Sequence, residues 1–176
     1  MKKLDLNVII FFSYILLFIF QHHLIYPLQN HFINLGALTG TLIFLPHGIR
    51  VLAVLIGGWH IFPGLFVAHL ITAVYHLEFV NDGWEAIIRV FLTMIAIYTS
   101  YLFLGHRKIS LKSIIIFSLI SSILNSGLQT FYLQYSLLNL NPYVLFTYLI
   151  GDILGAFILF YIFRYFKYLI QTYQKL

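Results

Sequence analysis

The stretch YVLFTYLIGDILGAFILFYIFRYF, residues 143–166, decides how the rest of the chain is read. It is apolar on every side for about 20 residues, the length a helix needs to cross roughly 30 Å of hydrocarbon. A strand of a membrane barrel would alternate apolar and polar residues, and this run does not. Working outward, runs of the same kind lie at 113–136, 85–104, 61–79, 35–57 and 6–25. Short connections join them. The expected fold is all-α: a polytopic transmembrane helical bundle of six helices forming one domain over residues 1–176, since helices satisfy their own backbone groups in lipid.

Composition agrees with that reading. Of 176 residues 61% are hydrophobic and only 9% charged, against roughly 25% charged in soluble domains, so a soluble fold of this size could not hide the apolar surface. The first run is followed by Gln21, His22, His23 and Tyr26 rather than by small residues at a cleavage site, so it is expected to stay as a helix. There is no cysteine, which excludes disulfides, thiolate metal sites and cysteine nucleophiles. No phosphate-binding loop, nucleophile motif or paired carboxylate occurs, and the chain is not expected to be an enzyme.

Lys and Arg outside the spans set the orientation. Lys2 and Lys3 precede the first run; Arg107, Lys108 and Lys112 lie between the fourth and fifth; Arg164, Lys167 and Lys175 close the chain. With six crossings all three places fall on one side, whereas the loop before the fourth run carries Glu78, Asp82 and Glu85. Both termini are therefore expected in the cytoplasm of a multi-pass cell-membrane protein, here of a bacterial inner membrane. The net charge of +5 is a topology signal with some attraction to anionic membrane lipid, and no nucleic-acid partner is expected.

Ionisable groups inside apolar spans mark function by default, because each costs several kcal/mol unless paired or solvated. Arg50, Arg89 and Asp152 are three such groups. Either arginine could reach Asp152 by extending its stem, and the pairing stays open between them. The fifth run adds Ser118, Ser121, Ser122, Asn125, Ser126 and Gln129, offsets that put every one on a single helix face. That face is either hydrogen-bonding glue between helices or the wall of a polar cavity. In the second run Pro46, His47 and Gly48 interrupt an apolar stretch, and a proline kink there is expected to open room beside His47. The candidate ligand site comprises Pro46, His47, Arg50, Ser122, Asn125, Gln129 and Asp152. Two Gly-xxx-Gly patterns, Gly36 to Gly40 and Gly151 to Gly155, are candidate packing faces. Of the histidines, His69 and His76 are seven apart, His47 and His60 flank the second run, and His22, His23 and His31 follow the first; none has compact metal-site spacing, and no metal is expected.

The stretch from Phe44 to His69, FLPHGIRVLAVLIGGWHIFPGLFVAH, together with Gly151-Asp152-Ile-Leu-Gly155, resembles membrane-associated sensor domains of the MASE1 type. The matching positions are Pro46, Gly48, Pro63, Gly64, Gly151, Asp152 and Gly155, a minority of the chain. Such domains usually have about eight helices and feed a cytoplasmic output module, whereas six helices and no output module are legible here. The resemblance implies a signal-sensing or interaction module that binds a small ligand of unspecified kind and acts through a partner protein, with a homo-oligomer also allowed. A small-solute transporter or substrate-capture subunit would use the same cavity opened to either side, and a structural membrane subunit would keep Asp152 permanently paired. Arg89 is grouped with Gly48, Pro63, Gly64, Gly151 and Gly155 as a structural position.

Overall fold

The computed structural model describes residues 3–33, 41–76, 83–104, 110–137 and 142–173. Among these there is no strand. The helices are α1 (Lys3–Phe20), α2 (Tyr26–Ile33), α3 (Leu45–Gly57), α4 (Phe62–His76), α5 (Gly83–Leu104), α6 (Leu111–Leu137) and α7 (Pro142–Tyr173). A π-helical turn over Gln21–Ile25 joins α1 to α2, and a 3-10 turn over Gly58–Ile61 joins α3 to α4. Five helical stretches are long and apolar enough to cross a membrane, with Leu45–Tyr75 counted as one of them. Large apolar side chains such as Phe12, Leu16, Ile95, Phe131 and Phe163 are exposed, which water would not tolerate over so many helices and a bilayer requires.

Several boundaries differ from the sequence reading. The first helix does not stop near residue 25 but continues through the π turn to Ile33, and the last continues past 166 to Tyr173. The second run is the largest correction. It is not a kinked helix spanning 35–57: residues 41–44 are non-helical and the helix begins at Leu45. Pro46 sits in the first turn, where its missing N–H leaves no hydrogen bond broken and its fixed φ suits a helix start. The expected kink is a helix beginning. The Gly36 to Gly40 pattern, Glu78 and Asp82 lie outside the described residues.

Contacts along α1 give the directions of its neighbours. Asn7 donates to the His60 carbonyl at 2.8 Å and accepts from the Gly64 N–H at 2.9 Å. Tyr14 packs on His69 with ring centroids 5.5 Å apart, and Gln21 reaches Ile43 and Leu45. As α1 advances from Asn7 to Gln21, α4 advances beside it, while α3 runs the opposite way. Reversal happens at Gly58, whose φ of +55° lies in the region that only glycine enters freely. Pro63 opens α4, and Gly64 approaches α1 so closely that a Cβ would stand 2.6 Å from the Asn7 carbonyl oxygen. The Pro-Gly pair thus closes this corner of the bundle.

The other helices continue the alternation. Phe66 meets Phe91 and Phe62 meets Tyr98, at centroid distances of 5.2 and 5.5 Å, so α5 runs against α4. Phe44 and Gly48 meet Gly151 and Gly155 in turn, so α7 runs alongside α3. The core between them is built from Tyr14, Val51, Val54, Leu65, Val90, Ile97 and Phe117, all buried.

Candidate functional site

The site begins with a piece of non-helical backbone that leads into the candidate membrane span starting at Leu45. Residues 41–44 lead into α3 without helical hydrogen bonds of their own, and in hydrocarbon each unsatisfied group would cost several kcal/mol. Two glutamines supply what the backbone lacks. Gln21 donates from Nε2 to the Ile43 carbonyl at 2.7 Å and accepts from the Leu45 N–H at 3.1 Å; Gln29 accepts from the Leu42 N–H at 2.6 Å. On the other side the Phe44 N–H donates to the Gly151 carbonyl at 2.9 Å. A Cβ on Gly151 would overlap the Thr41 carbonyl, and one on Gly155 would overlap that of Phe44. The Gly-xxx-Gly face of α7 therefore receives this non-helical segment, and one turn further on it receives Gly48, where an added Cβ would stand 2.7 Å from the Gly155 carbonyl oxygen.

That arrangement sets the first turns of α3 against α6 and α7. His47, Arg50 and Asp152 are each only 1% exposed. The Asp152 carboxylate lies 3.2 Å from His47 Nδ1 through Oδ2 and 3.8 Å from an Arg50 terminal nitrogen through Oδ1. Asn125 donates to Oδ2 at 2.9 Å. The His47 Nε2 faces Ser121 Oγ at 3.1 Å and Ser122 Oγ at 3.4 Å. Arg50 also approaches His47 Nδ1 at 3.3 Å and stands over the Phe44 ring at 5.5 Å, within cation–π range.

These contacts cannot all be favourable at once. If Nδ1 of a neutral His47 carries the proton, it donates to Asp152 and presents an N–H edge to Arg50. If Nε2 carries it, Nδ1 accepts from Arg50 but turns a lone pair toward the Asp152 carboxylate. Ser121 already donates to the Ser118 carbonyl at 3.1 Å, which suits a proton on Nε2. An imidazolium would satisfy both sides and place a second positive charge beside Arg50. Moreover Arg50 Nε, Asn125 Oδ1, Asp152 Oδ1 and Ser118 Oγ are buried without a hydrogen-bond partner.

Gln129 lies one turn from Asn125 and belongs to a second cluster. Its Nε2 donates to the Arg89 carbonyl at 2.9 Å and to Thr93 Oγ1 at 3.0 Å, while its Oε1 accepts from Arg89 Nε at 3.3 Å. Arg89 further donates to Tyr148 Oη at 3.2 Å and pairs with Glu85 at 3.8 Å. Of the two arginines, Arg50 is the one beside Asp152.

Among the predicted residues, His47, Arg50, Ser122, Asn125 and Asp152 come together, Gln129 sits a turn away, and Pro46 contributes the helix start rather than a contact. Tyr14, His69, Thr93 and Tyr148 were not legible as site residues. Tyr148 had a signal, being four residues before Asp152 and so on the same face of α7; Thr93 stands in the same relation to Arg89. Tyr14 and His69 carry buried polar atoms with no hydrogen-bond partner, Oη and Nδ1. Among the described residues no three His, Asp or Glu side chains converge as a metal site would need. No protein-family model, no curated protein and no solved structure matches the chain significantly.

Proposed function

We propose that this chain is a non-enzymatic, multi-pass sensory or interaction module of the cell membrane, in which the His47–Arg50–Asp152 centre binds a small polar ligand and a partner protein reads the resulting change in packing. The alternating directions of α1, α3, α4, α5, α6 and α7 support six crossings, with Lys3 and Arg164 at one end of the bundle and Glu85 at the other. By the distribution of Lys and Arg, that first end is cytoplasmic. A ligand acts on such a module by binding one of two packings better than the other.

The observation that carries the reading is the incomplete saturation of the centre. A buried ion pair that serves only as a lock repays its desolvation when geometry is close and the remaining lone pairs and protons are satisfied. Here the Arg50–Asp152 separation is 3.8 Å, longer than a hydrogen bond, and Arg50 Nε, Asn125 Oδ1 and Asp152 Oδ1 have no hydrogen-bond partner. The alternative proton positions on His47 add a second arrangement of the same side chains. The resemblance to MASE1-type sensors points the same way, as its Gly-Asp-x-x-Gly motif holds both the aspartate and the glycines that receive the 41–44 segment.

Native mass spectrometry of the protein released gently from its membrane tests this. The expected result is a small-molecule adduct on the unaltered chain that is lost from Asp152→Asn and from Arg50→Gln. An adduct-free spectrum of the unaltered chain would contradict it. A structural membrane subunit is the second reading, favoured by the nearly complete burial of His47, Arg50 and Asp152; it predicts no adduct under any release condition.

A further inference from the structure

Polar contacts continue from the Asp152 layer toward the end of the bundle that carries Glu85. Tyr148 stands one turn from Asp152 on α7, and Gln129 one turn from Asn125 on α6, about 6 Å along the axis in each case. Arg89 ties these two together and to Glu85. Its side chain is 27% exposed and that of Glu85 20%, so this cluster reaches the surface of the bundle. In the opposite direction the seam ends. Beyond Ser118 the same face of α6 presents Phe117 and Ile114, which are buried with Leu104 and Leu159. The polar stripe of α6 is thus open in chemistry at one end and plugged by hydrocarbon at the other.

We propose that this seam is a one-sided entry path, through which water and small hydrogen-bond-donating solutes reach Asp152 from the Glu85 side, with Arg89 as the side chain that closes it. The proposal rests on the reading that the centre binds a ligand, and it specifies the ligand's chemistry and route. Donors are called for because two buried oxygens at the inner end, Asn125 Oδ1 and Asp152 Oδ1, accept no hydrogen bond, Asp152 Oδ1 having only the Arg50 guanidinium at 3.8 Å. Arg89 suits a closing role because its guanidinium contacts with Gln129, Tyr148 and Glu85 run from 3.2 to 3.8 Å, longer than the 2.9 Å bond its backbone carbonyl accepts from Gln129. A guanidinium on a flexible stem can exchange such contacts for water at the membrane surface. Swinging it outward would uncover Gln129 and the layer beneath.

The chain contains no cysteine, so single thiols can be read without background. Ser126→Cys, Ser122→Cys and Ser118→Cys each change one atom along the stripe, at decreasing distance from the apolar plug. A membrane-impermeant maleimide is applied to oriented vesicles from either side, and it reacts with the thiolate, hence only where water reaches. The expected result is labelling from the Glu85 side alone, fastest at Ser126→Cys, slower at Ser122→Cys and absent at Ser118→Cys. Adding Arg89→Ala should speed the reaction at Ser126→Cys by about tenfold or more, equivalent to ~1.4 kcal/mol of barrier. Labelling from the other face, equal rates from both faces, a reversed gradient, or no labelling even with Arg89→Ala would overturn the path. Should a cysteine variant fail to fold, hydroxyl-radical footprinting of the unaltered protein in nanodiscs reads the same gradient: oxidation at Tyr148 and none at Phe117 supports the path, and equal or reversed oxidation overturns it. A retained adduct without labelling removes the path and leaves the binding reading; labelling without an adduct removes the binding reading.

Discussion

At the scale of residues, Asp152 and Arg50 are a pair in which each depends on the other. Asp152→Asn leaves Arg50 without its carboxylate; breaking a fully formed buried pair from one side costs about 3–5 kcal/mol, and a pair held 3.8 Å apart should lose less than that. The double variant Arg50→Gln, Asp152→Asn removes both charges and should recover most of that loss in a thermal-unfolding series in detergent or nanodiscs. A double variant no more stable than the single one would show that the two charges do not compensate each other. These residues were legible in the sequence because an ionisable group in an apolar span is conspicuous. His47 was legible from its place after Pro46. Tyr14 and His69 were not, since a tyrosine or histidine in an apolar helix is ordinary until the packing shows what it faces. The choice between Arg50 and Arg89 could not be made from axial offsets, because both stems are long enough; it took the meeting of α3 with α7 to decide it.

At the scale of elements, the non-helical segment before α3 is the feature most dependent on its neighbours. Gln21→Leu would leave the Ile43 carbonyl and the Leu45 N–H without their side-chain partner, at about 1–3 kcal/mol per buried group. Hydrogen exchange at 41–48 should then rise in that variant, and unchanged protection there would mean that the glutamine is not what holds the segment. Glycines offer a sharper contrast. Gly155→Ala pushes a Cβ into the Phe44 carbonyl, where the obstacle is backbone, and overpacking of that kind costs about 1–3 kcal/mol or more. Gly127→Ala in α6 meets nothing within 4 Å and should stabilise the helix by up to about 1 kcal/mol. Thermal melts of the two variants should therefore move in opposite directions; a shift of the same sign in both would count against the close contact at Gly155. The helices themselves were legible from length and apolarity. The break was not, because an apolar run with an internal proline reads as a kinked helix, and only the distant glutamines reveal that the backbone before it is satisfied another way.

For the whole molecule, the account predicts that single cysteines placed at Lys2 and at Gln174 are labelled from the same side of the membrane, and that one at Trp84 is labelled from the other. Opposite sides for the two termini would mean an odd number of crossings and would undo the assignment of the Glu85 end. The bundle as a class was plain from composition, since so much exposed hydrocarbon has one solvent. How its helices meet was not, because in lipid the packing of one apolar face against another leaves little trace in residue type. What did leave a trace was polarity: the stripe on α6 and the lone aspartate of α7 were visible before their contact was.

The central claim is that the His47–Arg50–Asp152 centre is built to take a ligand. An experimental structure of the protein in lipid, at a resolution that shows ordered waters, tests it most directly. The account predicts density for a small molecule or a water within hydrogen-bonding distance of Asp152 Oδ1 and Asn125 Oδ1, with Arg50 held off the carboxylate. A direct two-point contact between Arg50 and Asp152 in a sealed core, with no density beside them, would contradict it and leave a structural lock.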